Sequence, residues 1–445
     1  MTTDDPSRRN VLLGGAAVAG ATLLAARSAA AQPHDHAHHQ PAPRPPAPPP
    51  APRPRAAPRP PGSTVVTPNG RTLPWKTVGG VKVMHLTAQP IHHVFAPGLE
   101  AECWGYNGGT PGPTIEVVEG DRVRFYVTNR LPEPTSVHWH GVILPNGMDG
   151  VAGLTQKRIE VGETCRYQLT FDRPGTFMYH SHFDEMTQIA LGMVGMIVVH
   201  PRRARRADRD YALMLHEWKL TPGARRPDPM AMNDFNLLTF NGVAFPATEP
   251  LVAQRGERVR IRLGNLGPMD HHPIHIHGHA FRVVETDGGP VPRGAQTPET
   301  SILVPVGSVR VIELVADNPG DWPFHCHMTH HVMNQMGHAG PSTLGADLRG
   351  VDMAIGRSVP GAMVMGTAGM GDMADMKMPV PTNSIPMQGT PGPFGSIDMG
   401  GMFTIIKVRE RLTGTGDPGW YRHPEGTVAR PATAAELQAD GIVVE

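Results

Sequence analysis

The sequence predicts an all-β protein of two β-sandwich domains followed by a Met-rich C-terminal extension. Three observations predict the sandwiches. Segments such as Thr114–Glu119 and Arg122–Val127 alternate apolar and polar side chains, as half-buried strands do. Gly, Pro and Asn interrupt these segments at short intervals, and neither half holds a long 3.6-residue period. The chain also repeats itself. Glu119–Asn129 reads like Arg255–Asn265, and Arg173–His182, ending His180-Ser181-His182, reads like Asn318–His327, ending His325-Cys326-His327. Each repeat spans about 130 residues, an ordinary domain size.

Taken in order, residues 1–31 read as an export signal. Ser7-Arg8-Arg9-Asn10-Val11-Leu12 is a twin-arginine motif, an apolar run extends to Leu24, and Ala29-Ala30-Ala31 precede Gln32. The run is too short to span a membrane, so a Tat-exported protein, periplasmic or extracellular, is expected. Residues 32–62, rich in Pro, Ala, Arg and His, form no core and read as a semi-stiff linker. The two sandwiches are assigned to residues 63–201 and 210–345, and the five Arg of Arg202–Arg209 mark the junction between them. Residues 346–445 leave the repeat. Ten Met fall between positions 353 and 402 without helical spacing, and they read either as soft Cu(I) ligands or as gap-fillers of a covering loop. Gly401–Arg409 then reads as one more strand, expected to dock on a sandwich. The formal net charge is zero and no recognition motif accompanies the Arg run, which argues against a nucleic-acid partner. Cys103 and Cys165 fall in predicted first-domain strands, with a disulfide and two buried thiols both open.

The chemistry concentrates at His325-Cys326-His327. In an extended strand the thiolate and the two imidazoles face opposite sides, so one segment reaches two metal centres. A thiolate with imidazoles and a weak thioether suits copper that passes electrons, and clustered imidazoles suit copper that handles oxygen. His331 and Met336 follow Cys326, and His272 precedes the pair His275 and His277. Two more pairs lie upstream, His138 with His140 and His180 with His182. With 24 His in 445 residues a lone pair means little, but each repeat carries two pairs in the same order. Aligned by the repeat, Thr135, Ser181, Met186 and Leu191 stand where His272, Cys326, His331 and Met336 stand. The thiolate-centred ligand set thus segregates into the second half.

These four segments resemble the copper signatures of multicopper oxidases, over about residues 80–340. The resemblance implies two cupredoxin-like Greek-key domains. It implies type 1 copper on His272, Cys326, His331 and axial Met336, type 2 copper on His138 and His275, and a type 3 pair on His140, His180, His182, His277, His325 and His327. About 90 residues separate His182 from His272, too few for a further sandwich, so the chain is similar to the small two-domain oxidases. In those relatives the trinuclear cluster lies between subunits, and a ring-shaped homotrimer is the expectation here.

The resemblance further implies one-electron donors at the type 1 centre, passage through Cys326 to His325 and His327, and reduction of dioxygen to water. Asp149, in Met148-Asp149-Gly150, matches the family's proton-relay acid, although an Asp before Gly is also a common turn. The family's second acid is replaced by Thr329 and Val332, leaving Asp184 or Glu185 as substitutes. A laccase-type oxidase of phenols and aromatic amines is the first reading and a cuprous oxidase for copper tolerance the second. A copper store needs no type 1 site, and a copper nitrite reductase would carry its Cys in the first domain.

Overall fold

The computed structural model describes residues 64–203, 206–335, 357–358, 380–387, 389–414 and 416–444. The expected signal and linker at 1–62, Met336 and most of the Met-rich run lie outside the described residues. Among the described residues no helix is long and apolar enough to cross a membrane.

Both repeats fold as two-sheet sandwiches with the same strand plan. In the first, Val81–Ala96 pairs in parallel with Arg122–Asn129, which pairs antiparallel with Thr164–Thr170. The facing sheet sets Val194–His200 between Ile115–Val118 and Gly175–His180. Side chains alternate along Arg122–Asn129, with Val123, Phe125 and Val127 buried between the sheets. The second repeat copies this: Arg209–Trp218 runs parallel to Arg258–Asn265, which pairs with Ser308–Val315. Its facing sheet runs Leu251–Gln254, Phe403–Arg409, Gly320–Cys326, His272–Ile276, Ser301–Val304.

Phe403–Arg409 is therefore the counterpart of Val194–His200. Each pairs parallel with one strand and antiparallel with the strand that ends in the His-x-His segment. In the first domain the chain reaches this strand thirteen residues after Ser181, while in the second it arrives after the Met-rich run. The second sandwich thus extends to Arg409, and the Met-rich run is an insertion between its last two strands. Ile406, Val408 and Met402 lie in the second-domain core with Leu251, Ile274 and Cys326.

Two buried clusters join the sandwiches. Ile91, Phe95, Leu99 and Cys103 pack on Trp218, Leu220 and Leu237, and Val65, Met178, Val194 and Met196 pack on Ala212, Met214, Val309 and Val311. Arg262 is buried at this junction, bonded to Asp210 at 2.8 Å through both Nε and Nη2 and to Thr176 Oγ1 of the first domain at 2.6 Å. Cys103 and Cys165 are both free thiols.

Candidate metal centre

The strand pairing that builds each sandwich also gathers its histidines. His275 lies opposite His325 in the ladder between His272–Ile276 and Gly320–Cys326, and His138 lies opposite His180 in a single bridge. Alternation then separates functions. Trp139 points away from its neighbours His138 and His140 into the core, stacked on Phe125 at 4.2 Å. Ile274 and Ile276 likewise fill the core while His275 and His277 face outward.

In the second domain His272, Cys326 and His331 converge. Cys326 Sγ lies 3.8 Å from His272 Nδ1 and 3.4 Å from His331 Nδ1, and the two Nδ1 atoms are 3.2 Å apart. Three soft or borderline donors aimed at one point fit a copper ion better than a hydrogen-bond network, because the ring atoms left over already have partners. His331 Nε2 faces Asp270 Oδ2 at 3.6 Å, and His272 Nε2 faces Glu217 Oε2 at 3.4 Å. Burial pushes the Cys326 thiol up to about 12, so the thiolate needs a cation to form. Burial, then the neighbouring His272, pulls His331 down to about 4, leaving it a neutral ligand near neutral pH.

Glu217 is a functional candidate that no sequence motif marked. Its Oε1 accepts from the backbone N–H of Met269 at 2.6 Å and of Asp270 at 2.8 Å. Burial pushes its carboxyl up. The His272 hydrogen bond, the charges of His272 and His216 and the Met269 amide outweigh that and hold it below the ordinary carboxylate value.

The remaining histidines form two quartets. In the first domain His138, His140, His180 and His182 have ring centroids 5.3–6.0 Å apart. In the second, His275, His277, His325 and His327 lie 4.8–5.8 Å apart. Backbone carbonyls orient matching members: His180 Nδ1 meets Ser181 O and His325 Nδ1 meets Cys326 O, both at 2.7 Å, while His138 and His275 meet Asp149 O and Thr300 O, both at 2.8 Å. Each then keeps Nε2 for a metal. Burial lowers His180 to about 3 and also lowers His140, His277 and His325, so neutral imidazoles are presented.

Among the described residues, no ring contact joins one quartet to the other, and the metal-capable groups, His138-His140-His180 and His272-Cys326-His331, each stay within one domain. His140 instead approaches the second domain at Gly307, where an added Cβ would lie 3.9 Å from its ring. Several quartet members, His327 most of all, are open at the surface of the chain.

Two acids border the first quartet. Asp149 Oδ1 is 3.5 Å from His138 Nδ1, and Glu185 Oε1 is 3.3 Å from His182 Nε2 and 3.7 Å from His180 Nδ1. Asp184 is exposed and caps the short helix Glu185–Ala190 in a left-handed conformation (φ 45°).

At the first-domain counterpart of the thiolate site the structure has a polar plug. Gln188 Oε1 accepts from Thr135 Oγ1 at 2.7 Å and from Ser181 Oγ at 2.6 Å, and its Nε2 donates to Pro134 O at 2.8 Å. Met186, which the repeat offset aligns with His331, is instead exposed, because the helix turns Gln188 inward.

Two family models described as multicopper oxidase match residues 87–204 and 221–341. The chain is 42% identical over 123 residues to copper resistance protein A of Escherichia coli, covering 27% of this chain and 20% of that protein. It is 34% identical over 227 residues to laccase-1 of Botryotinia fuckeliana, covering 47% and 39%. The matches thus span about a fifth to two fifths of these relatives' length. Among solved structures, a blue copper oxidase from Nitrosomonas europaea is 26% identical with a TM-score of 0.55, covering 76% of this chain and 88% of that one. A multicopper oxidase, mgLAC, is 27% identical with a TM-score of 0.55, covering 78% and 90%.

Proposed function

The chain belongs to the multicopper oxidase family, and we propose that it is a laccase-like oxidase coupling one-electron oxidation of phenolic or aromatic donors to reduction of dioxygen to water. The observation that carries this is the continuity of Cys326 with His325 and His327: one tripeptide contributes to the thiolate triad and to a histidine quartet. Copper, when bound, supplies one-electron redox chemistry at the triad and dioxygen chemistry at the quartets. His272, Cys326 and His331 would hold the type 1 ion. Met336, the proposed axial ligand, follows the last described residue of that segment. His138 and His275 would hold type 2 copper, and His140, His180, His182, His277, His325 and His327 the type 3 pair.

The protein's own part is positional. Within the tripeptide the backbone links the two sites, and the contact of His325 Nδ1 with Cys326 O at 2.7 Å adds a hydrogen-bonded path beside the covalent one. His331, the most solvent-facing of the triad, with Asp270 beside it, is where a reducing substrate would approach. Asp149 holds His138 in place and stands where it can carry a proton towards the quartet, and Glu185, against His180 and His182, is the second such acid.

The separation of the quartets supports assembly. Each is half a site, and a head-to-tail homotrimer would set the first quartet of one subunit against the second quartet of the next. Its Tat signal would send the mature chain to the periplasm or beyond.

The Met-rich insertion favours a second reading, oxidation of Cu(I) for copper tolerance, since thioethers are soft ligands. Oxygen uptake with a phenol and with Cu(I), in the full chain and after deletion of residues 353–379, separates the two. The deletion stops there because Ile385, Met387 and Met402 are buried. Loss of cuprous turnover alone would favour metal tolerance, loss of neither keeps the phenolic reading, and no oxygen uptake with either donor refutes both.

A further inference from the structure

Glu217 is costly where it lies. It and His272 are fully enclosed, and a buried carboxylate is destabilising unless donors meet its charge. Two backbone amides donate to Oε1, and the His272 ring nitrogen Nε2 lies 3.4 Å from Oε2. The chain has also cleared a space for it. A Cβ on Gly267 would sit 1.7 Å from Glu217 Oε2, and the Gly267 backbone is not in the left-handed region that favours glycine for its own sake.

The repeat supplies an internal control. Parallel pairing sets Leu215 against Asn265 in the second domain and Ala88 against Asn129 in the first. Two residues further along, Pro90 stands in register with Glu217, and Leu131 with Gly267. The domain that lacks the thiolate has neither the acid nor the gap, and Leu131 there is a buried core residue. The acid and the cleared space go with the thiolate site.

We propose that Glu217 is a positioning residue of the thiolate-centred copper site, fixing the His272 tautomer and favouring the more highly charged oxidation state of the metal held there. A neutral imidazole has one N–H and one lone pair. With Nε2–H given to Glu217, the lone pair falls on Nδ1, the atom turned to Cys326 Sγ and His331 Nδ1. Asp270 Oδ2 faces His331 Nε2 at 3.6 Å, beyond hydrogen-bond reach, and is a third exposed and screened by water, whereas the Glu217 charge is not. A buried negative charge at this distance stabilises Cu(II) over Cu(I) and so lowers the reduction potential. The inference rests on the copper reading and deepens it.

The test is Glu217→Gln in the full-length protein. The amide oxygen still accepts from Met269 and Asp270, but its NH2 opposes the His272 Nε2–H. Redox titration of the blue absorption should show a higher potential than wild type, and Cu(II) affinity should fall on the order of 10–100-fold. Glu217→Asp, one methylene short, should fall between. A natively folded Gln variant with unchanged potential and affinity overturns the proposal. A second measurement needs neither copper nor a variant: nitrogen-15 NMR of the metal-free wild type should find His272 protonated on Nε2, and protonation on Nδ1 overturns the proposal. A wild-type protein that never turns blue would refute the copper reading and the redox half of the inference, while the tautomer still decides the positioning half.

Discussion

Replacing Gln188 with alanine removes the plug that occupies the first domain's counterpart of the copper site. Three hydrogen bonds go: two that Oε1 accepts from Thr135 and Ser181 and one that Nε2 donates to Pro134 O. Each is worth about 0.5–1.5 kcal/mol net, and a buried polar group left unpaired costs about 1–3 kcal/mol. Relaxation offsets part of this, since Ser181 Oγ keeps Phe183 O at 3.1 Å and Thr135 Oγ1 keeps a weak contact with Ser136 O at 3.4 Å. The Pro134 carbonyl and the small void are not recovered, so the expected loss is about 2–4 kcal/mol. For a domain of this size that lowers Tm by roughly 5–12 °C. Calorimetry of copper-free and copper-loaded protein should show the same loss in both, with the blue absorption unchanged, because the proposed type 1 ligands lie in the other domain. A loss under about 1 kcal/mol, or an altered blue band, would refute the view that hydrogen bonds replace the metal there.

Three further outcomes are expected. Asp149→Asn should slow oxygen consumption on the order of 10²-fold while anaerobic reduction of the blue band stays fast; unchanged turnover would move the proton role to Glu185. His216 is buried, and burial, opposed by the Glu217 charge and reinforced by His272, pulls it down to about 4 from an ordinary 6.5. Its contribution is present above pH 6.5 and lost as pH falls towards 4, about 3 kcal/mol in all, so denaturant titrations of copper-free His216→Gln should show a smaller acid loss than wild type. A chain ending at Gly401 lacks the inner strand Phe403–Arg409, whose Ile406 and Val408 are fully buried, and should not fold; a soluble, cooperatively unfolding truncation would contradict the strand plan.

The sandwiches were legible in the sequence because alternation and turn residues are local signals, and the repeat aligned the four His-x-His pairs without knowledge of the fold. Offset alone misled at Gln188. Counting five residues from Ser181 gives Met186, but the helix Glu185–Ala190 faces Met186 to solvent and Gln188, two residues on, to the core. Glu217 left no trace in any motif. Its meaning depends on the backbone amides of Met269 and Asp270 and on a glycine fifty residues away, and the contrast with Pro90 appears only once the parallel register is known. The last strand of the second domain was readable as a strand, but its partners were not, because the Met-rich insertion hides its match to Val194–His200.

The central claim, that each quartet is half a site completed by a neighbouring subunit, is tested most directly by complementation. One variant carries His138→Ala and His140→Ala, the other His275→Ala and His277→Ala, and neither alone should consume oxygen with a phenol. Co-assembled in equal amounts as a ring, roughly a quarter of the interfaces should pair two intact quartets, and activity should return to about that fraction of wild type. Mixed assemblies that form but stay inactive would place the cluster within one chain and contradict the claim.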